Sequence, residues 1–386
     1  MEATQGPLKV AISGSYGGMN LGDEAILEGI LGRIRATWPQ ASVTVFSRNP
    51  ADTVARHRVE RAISVRSLTR RETVRIMEGL DVFILGGGGI LYDQDAESYV
   101  REVFIAHELG IPVMVYAISA GPLTVPSARE AVRAAMDCAD VVTVRDRLGY
   151  RLLEDLGVSR EIHLTADPAF LLEPETLSME LLRADGVSFE RPLIGLSVRE
   201  PGPAAPDIDP GQYYALLANT ADYVVDRYDA EVLFVPMERS DVQHSHAVVS
   251  HMQNADRAEI LRRTYSPAQI LDLVGRFDLA IGMRLHFLIF AALRCTPFTP
   301  LPYASKVSGL LADLEMDAAP LGSVGIGQLV ARVDRSWDTR VALRERIRQH
   351  IPALRARSLR NNDFLVELVS LGARRSSPSG EPPALH

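Results

Sequence analysis

Two successive series of short β-branched runs, each run followed by an amphipathic stretch, do most to limit what this chain can fold into. Apolar runs too short for helices are strands buried on both faces. Stretches with apolar residues three and four apart between them are the crossover helices of a parallel sheet. In the first series, strands are expected over 8–14, 42–46, 82–85, 112–117 and 141–144, with helices over 23–37, 97–109, 127–138 and 146–156. The pattern weakens over 171–191 and then restarts. The second series has strands over 192–198, 231–235, 258–262 and 278–281, and helices over 212–228, 240–253, 267–274 and 284–294.

The restart, in a chain of 386 residues, fits two domains better than one core. The expected fold class is α/β, with two doubly wound (Rossmann-like) domains facing a cleft. The expected bounds are 1–180 for the N-terminal domain, on the acceptor side, and 181–338 for the C-terminal domain, on the donor side. Residues 339–373 read as helices interrupted at Pro352 that cross back to the first domain, and 374–386, rich in Ser and Pro, as a disordered tail. Open α/β sheets bind ligands at the carboxyl ends of their strands, so the cleft is the expected site.

A formal charge of −8 gives nucleic acid no non-specific attraction, so no nucleic-acid partner is expected, and any anionic ligand needs a local basic site. Cys138 and Cys295 are far apart and sit in apolar helical contexts, which argues against a disulfide framework or a cysteine zinc site. A reducing cytoplasm is the expected location. The most apolar run, near 103–123, is broken by His107, Glu108 and Pro112, so neither a signal peptide nor a membrane span is read. The sequence sets no oligomeric state.

Three glycine-rich passages follow expected strands. The first runs Gly14-Ser-Tyr-Gly17-Gly18-Met-Asn20-Leu-Gly22-Asp23-Glu24 into a helix, where a phosphate or sugar could approach the backbone. Gly17 and Gly22 have the first spacing of a P-loop, but Asp23 and Glu24 stand where that motif needs Lys and Ser or Thr, which excludes a P-loop ATPase. The acidic pair serves either acceptor binding or the helix dipole, and Asn20 either substrate or loop order. The second passage, Gly86-Gly87-Gly88-Gly89, is read as a loop approached by ligand and lacks a dinucleotide fingerprint. Ser119-Ala-Gly-Pro122 is read as a turn.

The second series also carries a basic constellation. Gly282-Met-Arg284-Leu-His286 spans a strand-to-helix transition, Tyr303-Ala-Ser-Lys306 opens another helix, and Ser197-Val-Arg199-Glu200 ends a strand. Guanidinium forks, a compact ammonium and an imidazole at strand ends suit a small substrate carrying both carboxylate and phosphate. His244, His246 and His251 read as solvated helix faces. No carboxylate cluster with metal spacing is read, so no metal is expected.

With these landmarks the chain resembles the polysaccharide pyruvyl transferase family, over roughly 10–314. The resemblance rests on 17–27, 81–89, Val144-Arg145-Asp146, Ala166-Asp-Pro-Ala-Phe170, Gly282–His286 and Tyr303–Lys306, in that order. It implies a GT-B glycosyltransferase-like architecture, phosphoenolpyruvate as co-substrate with no further cofactor, and a saccharide acceptor, often lipid-linked, from a cell-surface or cell-wall polysaccharide. A lipid-linked acceptor would add peripheral contact with the inner face of the membrane. Carried over by motif, Arg199, Arg284 and Lys306 hold the donor, joined by Arg145 unless that residue pairs with Asp146 or Asp167. His286 serves acid/base chemistry, with Arg284 beside it as the second catalytic residue. Gly17, Asn20, Asp23, Gly87 and Gly88 are the acceptor candidates. Two other readings stay open: a GT-B glycosyltransferase using a nucleotide sugar, and a non-catalytic carbohydrate-binding subunit.

Overall fold

The computed structural model describes residues 6–201, 209–301, 305–316 and 325–376. The chain divides into two compact units. The first holds the described residues up to Gly18, Ile30–Asp167 and those from Arg357 onward; the second holds Met19–Gly29 and Pro168–Ala356. The main division thus falls at Asp167/Pro168 and not at 180/181. A short stretch from the beginning of the chain also counts with the second unit, which no periodicity could signal.

The first unit carries seven parallel strands: β1 (Lys9–Ser13), β2 (Ser42–Phe46), β3 (Arg61–Ile63), β4 (Val82–Leu91), β5 (Val113–Ala120), β6 (Val141–Val144) and β7 (Ile162–Leu164). Their order is β3-β2-β1-β4-β5-β6-β7. Winding runs outward from β1 in one direction and, from β4, in the other, so the β1/β4 boundary is the switch point where such sheets open for ligands. Crossovers are made by α1 (Leu21–Thr37), α2 (Pro50–His57), α3 (Arg70–Met77), α4 (Ala96–Glu108), α5 (Pro126–Cys138) and α6 (Arg147–Asp155). Phe83, Leu85, Val115 and Ile118 from the sheet pack with Val103, Ala106, Val132 and Met136 from the helices, all buried.

The second unit repeats the plan with β8 (Leu193–Ser197), β9 (Glu231–Phe234), β10 (Ala258–Ile260), β11 (Leu279–Gly282) and β12 (Phe298–Pro300). The order β10-β9-β8-β11-β12 puts its switch point between β8 and β11. Its helices are α7 (Met179–Ala184), α8 (Pro210–Tyr228), α9 (Asp241–Val249), α10 (Pro267–Val274), α11 (Leu285–Leu293), α12 (Ser305–Asp313) and α13 (Ile326–Asp338). Helix starts follow local chemistry: Asp209 caps α8 with Pro210 behind it, and Ser266 and Gln269 close a capping box on α10.

Three sequence expectations change. The Gly86–Gly89 run is not a loop. β4 continues to Leu91, with Gly86, Gly88 and Gly89 paired to Tyr116, Ile118 and Ser119 of β5. Pro352 does not interrupt the last helix, α14 (Arg340–Ser376). Proline forfeits one intrahelical bond and crowds the turn before it, but buried Ile347, Ile351 and Leu354 on either side hold the helix together. That helix also takes in 374–376; the rest of the expected tail, 377–386, lies outside the described residues, as do 202–208 of the proline-rich loop. Among the described residues no helix is long and apolar enough to cross a membrane.

From Arg357 onward α14 belongs to the first unit, and buried Asn361 is its main polar anchor. The Asn361 side-chain oxygen accepts from Thr143 Oγ1 (2.7 Å) and Thr165 Oγ1 (2.9 Å), and its amide donates to the carbonyl of Ala166 (3.1 Å).

Candidate functional site

At the switch point of the second unit, Leu196 and Ser197 of β8 lie opposite Ile281 and Gly282 of β11. The chain leaves these neighbouring strands through Val198-Arg199-Glu200 and Met283-Arg284, so two guanidinium-bearing residues emerge from adjacent strand ends. The Tyr213 hydroxyl ties both ends, lying 2.9 Å from the Arg199 carbonyl oxygen and 3.0 Å from Met283 Sδ.

Arg284, 9% exposed, occupies the N-cap position of α11 with extended backbone angles. Its guanidinium turns into a nest of carboxylates. Nε donates to Asp241 Oδ2 at 3.0 Å, the neighbouring nitrogen bonds Asp241 Oδ1 and Glu238 Oε1, and Glu200 Oε2 stands 3.6 Å away. Asp241 is fully buried and also accepts the backbone N–H groups of Met237 (3.0 Å) and Glu238 (3.2 Å). Burial pushes the Asp241 carboxyl up, against the pull of Arg284. For Glu238 burial acts the same way, but Arg284, Ser240 and Asn20 together outweigh it and hold that carboxyl below its ordinary value. Arg199 pairs with Glu200. Glu200, Glu238 and Asp241 bring carboxylate oxygens within 4.8 Å of one another, a cluster with metal spacing that the sequence reading did not find because its members are far apart along the chain. Here a guanidinium holds all three.

The start of α1 belongs to the same unit. Asn20 caps it, Oδ1 accepting from the N–H groups of Gly22 (2.9 Å) and Asp23 (3.4 Å), while Nδ2 donates to Glu238 Oε2 at 2.8 Å. Leu21 N donates to the Met237 carbonyl at 2.8 Å. Gly22 faces His286 so closely that a Cβ there would lie 2.0 Å from the imidazole Nδ1. Only glycine lets the helix backbone approach this ring. His286 sits in the first turn of α11 and is half-buried; Lys306 sits in the first turn of α12, also half-buried. The structure thus gathers Asn20, Gly22 and Asp23 with Arg199, Arg284 and His286 in one unit, although the sequence assigned them to opposite domains. Tyr303 and Ala304 of the lysine motif lie outside the described residues.

The remaining candidates lie in the first unit. Gly17 has φ +73° and is closed in by Ser47 Oγ and the Asn49 backbone, 2.2 and 2.6 Å from where a Cβ would stand, so its glycine is required by the turn. Gly87 and Gly88 are buried in β4, whereas Gly89, two residues before the strand ends, is exposed. Arg145, 6% exposed, donates to Asp167 Oδ2 at 2.6 Å and lies 3.7 Å from Asp146: it makes the carboxylate pairings that were the alternative to donor binding.

Besides the Glu200, Glu238 and Asp241 cluster, sequence reasoning missed two groups. One is His244, half-buried on α9, whose Nδ1 lies 2.8 Å from the Tyr214 hydroxyl. Burial, then the positive charges of Arg284 and Arg199, lower its pKa, so it is no solvated face residue; His246 and His251 are exposed. The other is a polar cluster at the end of β1 in the first unit. Ser13 donates to fully buried Glu102 (3.1 Å), Arg66 reaches the Gly14 carbonyl (3.2 Å) and stacks over the Tyr99 ring (4.1 Å), and Arg48 bonds the Tyr99 hydroxyl (3.1 Å). Burial pushes Glu102 up against the pull of Arg66 and Arg101. The available signal was position: Glu238 and Asp241 follow β9 just as Arg199 follows β8.

With this geometry in hand, comparison with known proteins is informative. Residues 20–305 match the sequence profile of the family described as polysaccharide pyruvyl transferase. Among solved structures, similar folds include a Listeria monocytogenes protein assigned as a UDP-N-acetylglucosamine 2-epimerase (TM-score 0.64, 12% identity, 97% of this chain and 100% of that one). The UDP-GlcNAc 2-epimerase from Neisseria meningitidis gives 0.63 at 8% identity, over 94% and 100%, and a glycosyltransferase from Rickettsia africae 0.63 at 11%, over 94% and 99%. At such identities the likeness is one of fold, the α/β fold with parallel sheets of GT-B glycosyltransferases and related epimerases.

Proposed function

The chain belongs to the polysaccharide pyruvyl transferase family, and from that premise we propose that it moves the enolpyruvyl-derived group of phosphoenolpyruvate onto two hydroxyls of a polysaccharide precursor, as a pyruvate ketal. The observation that carries the reading is the seating of Arg199, Arg284 and His286 at the switch point and first helical turn of the second unit, beside the Asn20–Gly22 helix start.

In this mechanism a proton is added to the enol methylene, making a methyl group and an electrophilic carbon. One sugar hydroxyl attacks that carbon. The C–O bond to phosphate breaks, and a second hydroxyl closes the ketal. Of the two hydroxyl protons released, one balances the proton added to carbon and the other leaves with the phosphate. Arg199 and Lys306 meet donor charge, and the dipole at the start of α11 adds a positive field. Arg284, already ion-paired, supplies a charge of fixed position. His286 exchanges the proton. Glu238 joins the two halves of the arrangement, holding Arg284 with one oxygen and Asn20 with the other.

The reading predicts that phosphoenolpyruvate raises the melting temperature of the protein and that nucleotide sugars do not. Phosphate release should require a saccharide acceptor. His286→Ala should lose turnover almost entirely while still being stabilised by phosphoenolpyruvate. Full activity of that variant would remove His286 from the mechanism, and stabilisation by a nucleotide sugar alone would replace the donor.

A further inference from the structure

The first unit holds a basic cavity lined by residues that the proposed mechanism does not use. α6 presents Arg147, Tyr150, Arg151 and Glu154 at helical spacing on one face, the edge strand β7 offers Ile162, His163 and Leu164, and Arg360 comes from α14. Together they line a cavity of about 500 Å³, within the range of about 300–1,000 Å³ common for small-molecule sites. His163 stacks on Phe364 with ring centroids 4.2 Å apart, and the Arg360 guanidinium lies 5.6 Å from the same ring, so both walls are fixed by one aromatic side chain.

The charge in this cavity is unbalanced. Arg147, Arg151 and Arg360 have no carboxylate partner within 4.0 Å among the described residues, although they converge on one cavity. The one acid in the lining, Glu154, raises the Tyr150 pKa by its charge and by a hydrogen bond, so its carboxylate is engaged with that phenol. Three guanidinium groups stand against Glu154 in the lining and Glu161, which lies 3.5 Å from His163 Nδ1, so positive charge predominates and suits an anionic ligand. Arginine forks bind phosphate oxygens in pairs. The cavity exceeds the needs of phosphate alone, and Ile162, Leu164 and the Tyr150 ring provide an apolar wall for an organic group.

We propose that this groove between α6, β7 and α14 binds a phosphate-bearing ligand, its phosphate held by Arg147, Arg151 and Arg360 and its organic part lying along Tyr150 and β7. The phosphate comes either from a soluble phosphate ester or from a lipid headgroup, and the experiment separates the two.

The full chain is titrated with inorganic pyrophosphate while the His163 ring resonances are followed by NMR, their assignment made with His163→Gln. The result expected is a saturable shift, weakened at least tenfold in the Arg147→Gln/Arg360→Gln double variant and unchanged in Lys306→Ala. Both arginines are exposed, so the double variant should keep the wild-type melting temperature. In parallel, sedimentation with phosphatidylglycerol vesicles, absent with phosphatidylcholine and lost in the double variant, would assign the phosphate to a lipid. A pyrophosphate response without vesicle binding would assign it to a soluble ester. A His163 signal that moves with neither probe, or that moves equally in the double variant, overturns the site. The proposal does not depend on the pyruvyl-transfer reading.

Discussion

Gly22 is the residue through which the helix start and the imidazole meet. An alanine there places its methyl carbon 2.0 Å from His286 Nδ1, and since the helix backbone cannot retreat without losing the Asn20 cap, the ring must move. A misplacement of about 1 Å at a reacting group can cost about 100-fold in rate, whereas overpacking costs stability only about 1–3 kcal/mol. Gly22→Ala is therefore expected to lose activity far out of proportion to its fall in melting temperature. Asp241 should behave in the opposite way. It is fully buried and bonded to Arg284 and two backbone N–H groups, so Asp241→Ala takes the acceptor from both N–H groups and one of three carboxylates from Arg284 and should cost about 1–3 kcal/mol, measurable by urea unfolding. His244 carries a pH signature. Its folded pKa lies below the ordinary value, so the stability it contributes is complete above the unfolded histidine value of about 6.5 and is lost as pH falls through the folded one. His244→Gln should flatten the decline in melting temperature between pH 7.5 and 5.5; an unchanged decline would mean that other groups cause it. At this scale the sequence showed which residues carry charge at strand ends, and so Arg199, Arg284 and His286 were legible. It could not show that Arg284 meets Glu238 and Asp241, because ion pairing across more than forty residues depends on which strands become neighbours.

Elements were legible in proportion to the length of their apolar pattern. β2 and β6 begin and end where the β-branched runs do, and α10 follows its proline and capping box. β3, β7 and β12 have only three residues each and were missed, whereas β10, equally short, was expected within 258–262. The glycines of β4 misled for a physical reason: glycine in a strand weakens local propensity, yet here the central position between β1 and β5 supplies ladder partners on both sides. α14 was seen as helical but broken at Pro352, since local rules cannot weigh the burial of Ile351 and Leu354 beside it. The element-scale prediction concerns Asn361, which satisfies two threonine hydroxyls and a carbonyl at once. Asn361→Leu removes a donor from the Ala166 carbonyl and leaves the two threonine hydroxyls with only the Val115 and Val144 carbonyls as acceptors, and should cost about 1–3 kcal/mol. Hydrogen exchange should show the loss concentrated in β6, β7 and the part of α14 after Arg357, with the second unit unaffected.

For the whole molecule, two repeats of one winding order, each with its own buried core, were readable from the restart of the alternating pattern. The assignment of Met19–Gly29 to the second unit was not, because it depends on Leu21 and Asn20 bonding to Met237 and Glu238. This assignment makes a prediction of its own. If phosphoenolpyruvate binds at Arg199, Arg284 and Lys306, amide protection should rise in the second unit and, with it, in residues 20–24 near the start of the chain. At about 100 times the dissociation constant the stabilisation should reach about 2.7 kcal/mol. Protection confined to the first unit would contradict the assignment.

The chain passes between its two units after Gly18, Gly29, Asp167 and Ala356, and this has a consequence for synthesis. Domains made first on the ribosome ordinarily fold first. Here the unit begun by the N-terminal residues waits for almost the last ones, since the bonds that Thr143, Thr165 and Ala166 make to Asn361 form only when that residue has emerged. A nascent chain halted before residue 357 should hold a complete second unit beside an unfinished first one, so that the order of maturation runs against the order of translation.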